Sequence, residues 1–117
     1  MIIGIGTDII EIERIKKAVA KKHFKDSVFT EHEQIYCESR GSHSAASYAA
    51  RFAAKEAFFK AMGTGIFTRL TDVEIVKDER GAPQINLRGG RLKVDGKISV
   101  SLSHSKDFAT AICIIEI

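Results

Sequence analysis

Tryptophan is absent from this sequence, and cysteine occurs only twice. Cys37 and Cys113 lie far apart and form no Cys-x-x-Cys motif, which favours ordinary thiols in a reducing compartment. The spacing of the histidines predicts no zinc site. Long hydrophobic runs are also missing. The opening MIIGIGTDIIEI lacks a basic n-region and is interrupted by Asp8, so it predicts neither a signal peptide nor a membrane span. We therefore expect a cytoplasmic protein that does not contact a membrane.

The composition is that of one globular domain covering residues 1–117. Of these residues 44% are hydrophobic and 28% are charged, and no internal repeat or linker divides them. A chain of this length buries a modest fraction of its surface, so partner subunits would add burial. The formal net charge of +3 makes acidic partners or phosphates plausible. A nucleic-acid binder would cluster more basic charge on one face, so we expect no nucleic-acid partner.

Residues 2–10 are rich in isoleucine and predict a strand whose two faces differ. One face carries Ile3, Ile5, Thr7 and Ile9. The other face carries Gly4, Gly6 and Asp8, where the two glycines would let another element approach the backbone closely.

Three helices are predicted after this strand. A helical period begins at Glu11, with apolar residues on one side and basic residues on the other. Thr30 and Glu33 fit a capping box that opens a short helix ending near Arg40. After the hinge-like segment GSHSA, a long helix is expected from about residue 45 to residue 62, where a glycine ends it.

The second half of the chain predicts short strands separated by turns. The expected strands are VEIV, QINL, RLKV, KISVSLSHS and FATAICIIEI, and the turns are DERGAP, RGG and VDGK. Lys106 and Asp107 separate the last two strands and predict a hairpin. The expected fold is therefore α+β, with helices packed on an antiparallel sheet.

Two acidic residues stand in apolar surroundings. Glu56 shares one side of the long helix with Phe52 and Phe59, and Asp8 lies in the N-terminal strand. Taken singly, Glu56 would pair with Lys60 one turn away, and Asp8 would cap the following helix. Together they indicate a hard-cation site, because Mg²⁺ favours one or two carboxylates with substrate phosphates and waters.

Basic residues surround Glu56 on the same helix. Arg51 and Lys55 are like charges one turn apart, a pairing that is mildly unfavourable without an anion between them. A phosphate or pyrophosphate would supply that anion, and a solvated basic edge is the alternative. Gly63 and Gly65 permit close backbone approach, although Gly63 is also explained as a helix C-cap.

His104 ends the apolar face of a strand that also carries Ile98, Val100 and Leu102. A packed, hydrogen-bonded histidine is the simpler interpretation, but its place beside a tight turn would let it touch a ligand.

A basic stripe lies opposite the apolar side of the first helix and consists of Arg14, Lys17, Lys21 and Lys25. It is either a solvated face or a docking surface for an acidic partner.

These segments, in this order, resemble one family: the holo-(acyl-carrier-protein) synthases, which are the small 4′-phosphopantetheinyl transferases. GIGTDIIEIERI is similar to the N-terminal motif of the family, RFAAKEAFFKAMGTGI to its long-helix motif, and ISVSLSHSKDFATA to its C-terminal strand pair. FTEHEQIYC and DERGAPQINL are also similar, so the likeness spans nearly the whole chain.

The resemblance implies an enzyme of fatty acid biosynthesis that moves 4′-phosphopantetheine from coenzyme A to a serine of apo-acyl carrier protein. The second product would be adenosine 3′,5′-bisphosphate. The resemblance also implies Mg²⁺ held by Asp8 and Glu56, and a homotrimer with active sites between subunits.

Further roles follow from the same resemblance. The residues that would contact coenzyme A or its phosphates are Arg51, Lys55, Lys60, Gly63, Gly65 and His104. Lys60 would protonate or stabilise the leaving group, and Glu56 would activate the serine directly or through a water. The basic stripe would dock the acidic helix of the carrier protein.

Two other functions fit parts of the sequence. A small basic domain that binds RNA or another anion would need stacking aromatics, and the missing tryptophan disfavours it. A Mg²⁺-dependent phosphodiesterase would consume coenzyme A with water as the nucleophile and would need no protein acceptor.

Overall fold

The computed structural model describes residues 1–117, which form an α+β domain. The helices are α1 (Ile12–Val19), α2 (Lys22–Val28), α3 (Glu31–Glu38) and α4 (Ser44–Met62). The strands are β1 (Ile2–Glu11), β2 (Val73–Lys77), β3 (Pro83–Leu87), β4 (Lys97–His104) and β5 (Phe108–Glu116). Short 3₁₀ turns at Gly41–His43 and Leu70–Asp72 flank α4 and its following loop.

The strands form two antiparallel sheets rather than one. The first has the order β1-β5-β4, so the N-terminal strand pairs with the C-terminal strand, and β1 and β4 are its edges. The predicted hairpin between β4 and β5 is confirmed. The second sheet contains only β2 and β3. Helix α4 packs on one face of the three-stranded sheet, mainly over β1 and β5.

The prediction that RLKV forms a strand is wrong. Residues 91–94 have no ladder partner, although Leu92 is buried in the core. The Arg91 guanidinium instead donates two hydrogen bonds to the Asp72 carboxylate, at 2.8 Å and 2.6 Å. This segment is therefore held in place by a side-chain contact and by apolar burial, which a pattern of alternating residues does not distinguish from strand pairing.

A single helix from Glu11 through Lys25 is also not formed. Helix α1 ends at Val19, and a new helix, α2, begins at Lys22. The break redirects the chain so that Val28 and Phe29 become buried in the core. The chain direction at this point is consistent with the burial of these two side chains. The basic stripe is therefore divided between the segment of α1 and the segment of α2.

The close approach of α4 to β1 is confirmed at the two glycines of the first strand. A Cβ atom on Gly6 would lie 2.0 Å from the carbonyl oxygen of Ala57, and one on Gly4 would lie 2.1 Å from that of Ala61. Helix α4 is rich in alanine, which favours helix formation and has a short side chain that lets a strand pack close to the helix. The helix backbone thus rests almost directly on the strand and ends at Gly63, whose φ of 75° is the left-handed conformation of a C-cap.

Both cysteines are free thiols buried in the core. Burial raises the pKa of Cys37 to about 12 and that of Cys113 to about 11. They are packing residues with little thiolate character. Among the helices, none combines the length and apolarity needed to cross a bilayer.

Gly6→Ala should destabilise the protein by about 3 kcal/mol, the upper end of the range for overpacking, because its Cβ would meet a helix carbonyl. Urea unfolding at fixed protein concentration measures this loss. Adding Ala57→Gly should not restore stability, since the clash is with the backbone oxygen of residue 57 and not with its methyl group. Rescue by that second substitution would contradict the backbone contact.

Candidate functional site

The strand face that carries the two glycines continues to Asp8, and this brings Asp8 beside α4. The Lys60 ammonium lies 3.1 Å from the Asp8 carboxylate and donates a second hydrogen bond, at 3.0 Å, to the Thr7 carbonyl. Lys60 therefore pairs with Asp8 and not with Glu56, so the helical Glu56–Lys60 pair is absent. Asp8 does not cap α1 either, because the N-cap residue is Glu11 and no side chain bonds there.

Glu56 and Asp8 lie close enough to repel each other. Burial raises the pKa of Glu56 above its usual value, and the negative charge of Asp8 raises it further. Lys60 and Arg14 oppose this effect. No ion pair engages the Glu56 carboxylate, which is half-buried. Asp8 is paired with Lys60, whereas Glu56 has no cationic partner. The two neighbouring carboxylates provide the oxygen ligands that a hard divalent cation prefers.

Lys55 is not placed to contact a phosphate, which corrects that expectation. Its side chain is 0% exposed, and its ammonium lies 2.8 Å from Glu33 and 2.9 Å from the Leu70 carbonyl. Glu33 in turn caps α3 by accepting from the Thr30 backbone, as the capping box predicted, and it also accepts from Ile75 N–H. Lys55 thus joins α3, α4 and β2 inside the core, where Glu33 supplies its carboxylate partner.

A cavity of about 360 Å³ lies beside the N-terminal half of α4 and is lined by basic side chains. Arg51 and His104, both singled out by the sequence, line it together. The fold adds Arg40, His43 and Lys77, and no acidic residue lines the cavity. We call this cavity the basic pocket. Its charge and shape suit a phosphate-bearing ligand.

Arg51 is the most buried cation of the basic pocket. It is 5% exposed, and its Nε atom is buried without a hydrogen-bond partner. Its only hydrogen bond runs from Nη1 to the Ser47 carbonyl at 3.3 Å. A buried donor that lacks an acceptor is unfavourable, so binding of an anion that accepts a hydrogen bond from this guanidinium would be favourable.

Sequence reasoning missed Arg40, His43 and Lys77 because they come from separate elements. Arg40 and His43 flank the turn before α4, and Lys77 ends β2. Only the packing of β2 and of the turn against α4 brings them to Arg51. The one signal in the sequence is the polar composition of the hinge-like segment GSHSA, residues 41–45, and of Arg40 before it, which does not reveal a pocket.

His104 continues the face of Leu102 into the basic pocket, as its strand position indicated. It is exposed, and the centre of its ring lies 6.5 Å from that of His43. The two imidazoles add donors or acceptors at the mouth of the pocket.

Gly63 and Gly65 follow Lys60 in the exposed loop after α4. Both have positive φ, 75° and 68°, with open space where a side chain would stand. Their backbone is therefore accessible at the Asp8–Glu56 end of the helix.

The basic stripe is only partly free. Arg14, Lys17 and Lys21 are exposed, whereas Lys25 is half-buried and its ammonium lies 3.2 Å from Glu38. Arg14 is near enough to Glu56 to lower its pKa, so the exposed part of the stripe begins at the carboxylate pair.

The carboxylate pair and the basic pocket are built on opposite edges of the three-stranded sheet. Asp8 is on the edge strand β1 and His104 on the opposite edge strand β4. Two strand spacings separate these edges by about 10 Å. Glu56 and Arg51, five residues apart on α4, point about 140° away from each other around the helix axis. The basic pocket and the carboxylate pair therefore lie on different sides of α4.

Comparison with known proteins identifies the family. The model of the 4′-phosphopantetheinyl transferase superfamily matches residues 4–113. A holo-[acyl-carrier-protein] synthase of Fusobacterium nucleatum subsp. nucleatum is 44% identical over 122 residues, covering 98% of this chain and 99% of that protein. The chain belongs to the holo-(acyl-carrier-protein) synthase family.

Solved structures of this family share the fold. The chain is similar to the synthase of Neisseria meningitidis with a TM-score of 0.89 and 32% identity, each chain being covered completely (100%). It is similar to the synthase of Bacillus anthracis str. Ames with a TM-score of 0.86 and 39% identity, over 99% of this chain and 97% of that one. The Bacillus anthracis protein was solved in complex with CoA (3′,5′-ADP).

Glu56→Gln should raise the melting temperature of the metal-free protein by a few degrees at neutral pH. Above the raised pKa of Glu56, the folded protein holds a carboxylate that burial and Asp8 disfavour, and the substitution removes that charge. The penalty is lost in the wild type as the pH falls through this pKa, so the difference between the two proteins should shrink in acid. Thermal unfolding across pH 4 to 8 with EDTA measures it.

The exposed acid Glu13 on α1 provides the control, because Glu13→Gln makes the same charge change away from Asp8. A Glu56→Gln protein that is less stable than the wild type at pH 7, or a difference that does not depend on pH, would contradict the repulsion between the two carboxylates.

Proposed function

We propose that this chain transfers the 4′-phosphopantetheine group of coenzyme A to a serine of apo-acyl carrier protein. The observation that carries this proposal is the acid-free basic pocket at Arg51, in a family whose Bacillus anthracis member was solved in complex with CoA (3′,5′-ADP). A phosphodiesterase acting with water, or a domain that only binds anions, would not account for the near full-length likeness to synthases.

The reaction joins the serine oxygen to the β-phosphorus of the pyrophosphate. The bond from that phosphorus to the bridging oxygen breaks, adenosine 3′,5′-bisphosphate leaves, and the serine proton is taken up by a base. Glu56 is our candidate for this base, directly or through a water, because its raised pKa favours proton uptake. The Lys60 ammonium, with a side chain 55% exposed, would stabilise or protonate the leaving group. The open backbone at Gly63 and Gly65 would let the substrate approach this end of the helix.

Mg²⁺ is the proposed cofactor, and Asp8 and Glu56 are the residues that would hold it. Their chemistry fits, since burial and the charge of Asp8 both disfavour the Glu56 carboxylate, which a cation would stabilise, and Mg²⁺ takes few protein ligands beside phosphates and waters. When bound, the ion would neutralise charge that develops on the pyrophosphate oxygens. Binding has a readout that needs no activity: Mg²⁺ should raise the melting temperature of the wild type more than that of Glu56→Gln.

We propose a homotrimer in which the carboxylate pair of one subunit faces the basic pocket of the next. The outer face of the β1-β5-β4 sheet supports association, because it exposes large apolar side chains, among them Ile3, Ile5, Ile9, Phe108 and Ile112. A ring of identical contacts would bring the two halves of the site together at each interface. Such an arrangement would let one coenzyme A molecule contact both the basic pocket and the carboxylate pair.

The carrier protein would dock on the exposed part of the basic stripe. Arg14, Lys17 and Lys21 present positive charge that begins beside Glu56, so an acidic partner held there would lie next to the proposed catalytic residues. A cytoplasmic location and a role in fatty acid biosynthesis belong to the same proposal.

Intact-mass analysis tests the transfer. The protein is mixed with coenzyme A, Mg²⁺ and an apo-acyl carrier protein, and the carrier should gain roughly 340 Da, the mass of one phosphopantetheine, with EDTA or Glu56→Gln abolishing the gain. An unmodified carrier with intact coenzyme A, from folded protein, would refute the transferase proposal. Loss of coenzyme A with an unmodified carrier would favour the phosphodiesterase.

The double substitution Lys17→Glu and Lys21→Glu should raise KM for the carrier by about tenfold or more at low salt, with a small change in kcat, because it reverses the charge of the docking surface. Initial rates at varied carrier concentration measure this effect. Lys93→Glu with Lys97→Glu makes the same charge change on exposed residues at the other end of the sheet and serves as the control. Equal kinetics for both variants would remove the docking assignment.

A further inference from the structure

Tyr36 on α3 collects three cationic side chains around its ring. The Arg51 Cζ atom lies 4.3 Å from the ring centroid, the Lys77 Nζ atom 4.9 Å and the Arg40 Cζ atom 5.8 Å. The three cations come from α4, from the end of β2 and from the turn before α4. All four residues line the basic pocket.

The other tightly held cations of this chain are held by carboxylates. Lys55 is 2.8 Å from Glu33, and the Arg91 guanidinium bonds Asp72 at 2.6 Å. Arg51 is also buried, but the group against it is an aromatic ring, and no acid lines the pocket. An aromatic face attracts cations through its quadrupole and carries no net charge. The ring can therefore gather the cations without neutralising them.

We propose that Tyr36 is a positioning residue that holds Arg51, Lys77 and Arg40 together as a non-neutralised set of phosphate contacts. A carboxylate in its place would fix the same cations but would compete with the phosphate for them. A simple aliphatic residue would leave three like charges to move apart. This inference rests on the proposed function, since it names what prepares the pocket for a phosphate of coenzyme A.

Two further observations agree with this role. Arg51 Nε lies buried with no acceptor, so the ring positions the guanidinium without using its donors. The neighbouring Lys77 ammonium lowers the pKa of the Tyr36 phenol, and the charges of Arg40 and Arg51 act in the same direction against the effect of burial. The phenol therefore experiences the positive field of all three cations.

The test is the affinity for adenosine 3′,5′-bisphosphate, measured by calorimetry on the assembled protein over a range of salt. Tyr36→Leu should weaken binding by on the order of tenfold and make its salt dependence shallower, because fewer cations would converge on the phosphates. Tyr36→Phe keeps the ring and should bind within about twofold of the wild type. In the transfer reaction, Tyr36→Leu should raise KM for coenzyme A and leave kcat nearly unchanged.

The chain offers a matched control in its other tyrosine. Tyr48 lies in the core against Phe29 and donates to Glu38, outside the basic pocket. Tyr48→Leu should lower the melting temperature and leave the affinity and its salt dependence unchanged, as a purely structural role would. If Tyr36→Leu does not fold by circular dichroism, Tyr36→Met replaces it.

A double-mutant cycle gives a second readout. Arg51→Lys keeps the charge but loses the planar group that stacks on the ring. Its effect on affinity should be much smaller in the Tyr36→Leu background than in the wild type. Additive effects, wild-type affinity in Tyr36→Leu, or a Tyr36→Phe protein as weak as Tyr36→Leu would each overturn the proposal.

The results for the Tyr36 variants can be distinguished from a failure of the proposed function. Transfer by the wild type together with unchanged binding by Tyr36→Leu would refute the role of Tyr36 and leave the transferase intact. Absence of transfer together with the expected loss of bisphosphate affinity would support the role of Tyr36 and refute the transferase.

Discussion

The contact between α4 and β1 is the constraint on which the candidate site depends. The carbonyl oxygens of Ala57 and Ala61 occupy the space where Gly6 and Gly4 would carry side chains. Because the helix lies this close, the next residue on the same strand face, Asp8, reaches Lys60 and comes near Glu56. Burial and, after it, the charge of Asp8 raise the pKa of Glu56, so the fold keeps an unfavourable arrangement of charge that a cation would relieve.

The basic side chains of α4 differ in whether they have a carboxylate partner. Lys55 is fully buried and matched by Glu33, which also caps α3 and binds the β2 backbone. That network fixes the helix relative to the two-stranded sheet, whose end supplies Lys77. Arg51, one turn earlier, has no carboxylate partner and opens into the basic pocket. One helix therefore carries a structural cation and a pocket cation along one side and a carboxylate on another.

Local sequence signals predicted most of the fold and indicated several of the residues that the structure brings together at the candidate site. The capping box of Thr30 and Glu33, the glycine that ends α4 and the β4–β5 hairpin depend on neighbouring residues, and the structure confirms them. The break between α1 and α2 was not predictable in this way, because it depends on where Val28 and Phe29 become buried. The strand predicted for RLKV failed for a related reason, since its apolar residues are buried without a ladder partner.

In the candidate site too, residues with a local sequence signal were predictable, and residues that only tertiary packing brings together were not. Asp8 and Glu56 were predictable because acids interrupt apolar faces, and an interrupted face is visible in the sequence. Lys55 was misassigned since its partner, Glu33, lies far away along the chain. Tyr36, Arg40 and Lys77 carry no local signal, and only tertiary packing brings them to Arg51.

We propose that one active site is assembled from the carboxylate pair of one subunit and the basic pocket of its neighbour. Subunit complementation tests it most directly. Glu56→Gln and Arg51→Ala proteins, each inactive alone, are co-assembled in equal amounts and assayed by intact mass of the carrier. Random mixing should restore about one quarter of the wild-type sites, because each restored interface needs an intact carboxylate pair on one side and an intact pocket on the other. Activity no greater than the sum of the two parents, in mixed assemblies shown to have formed, would contradict a shared site.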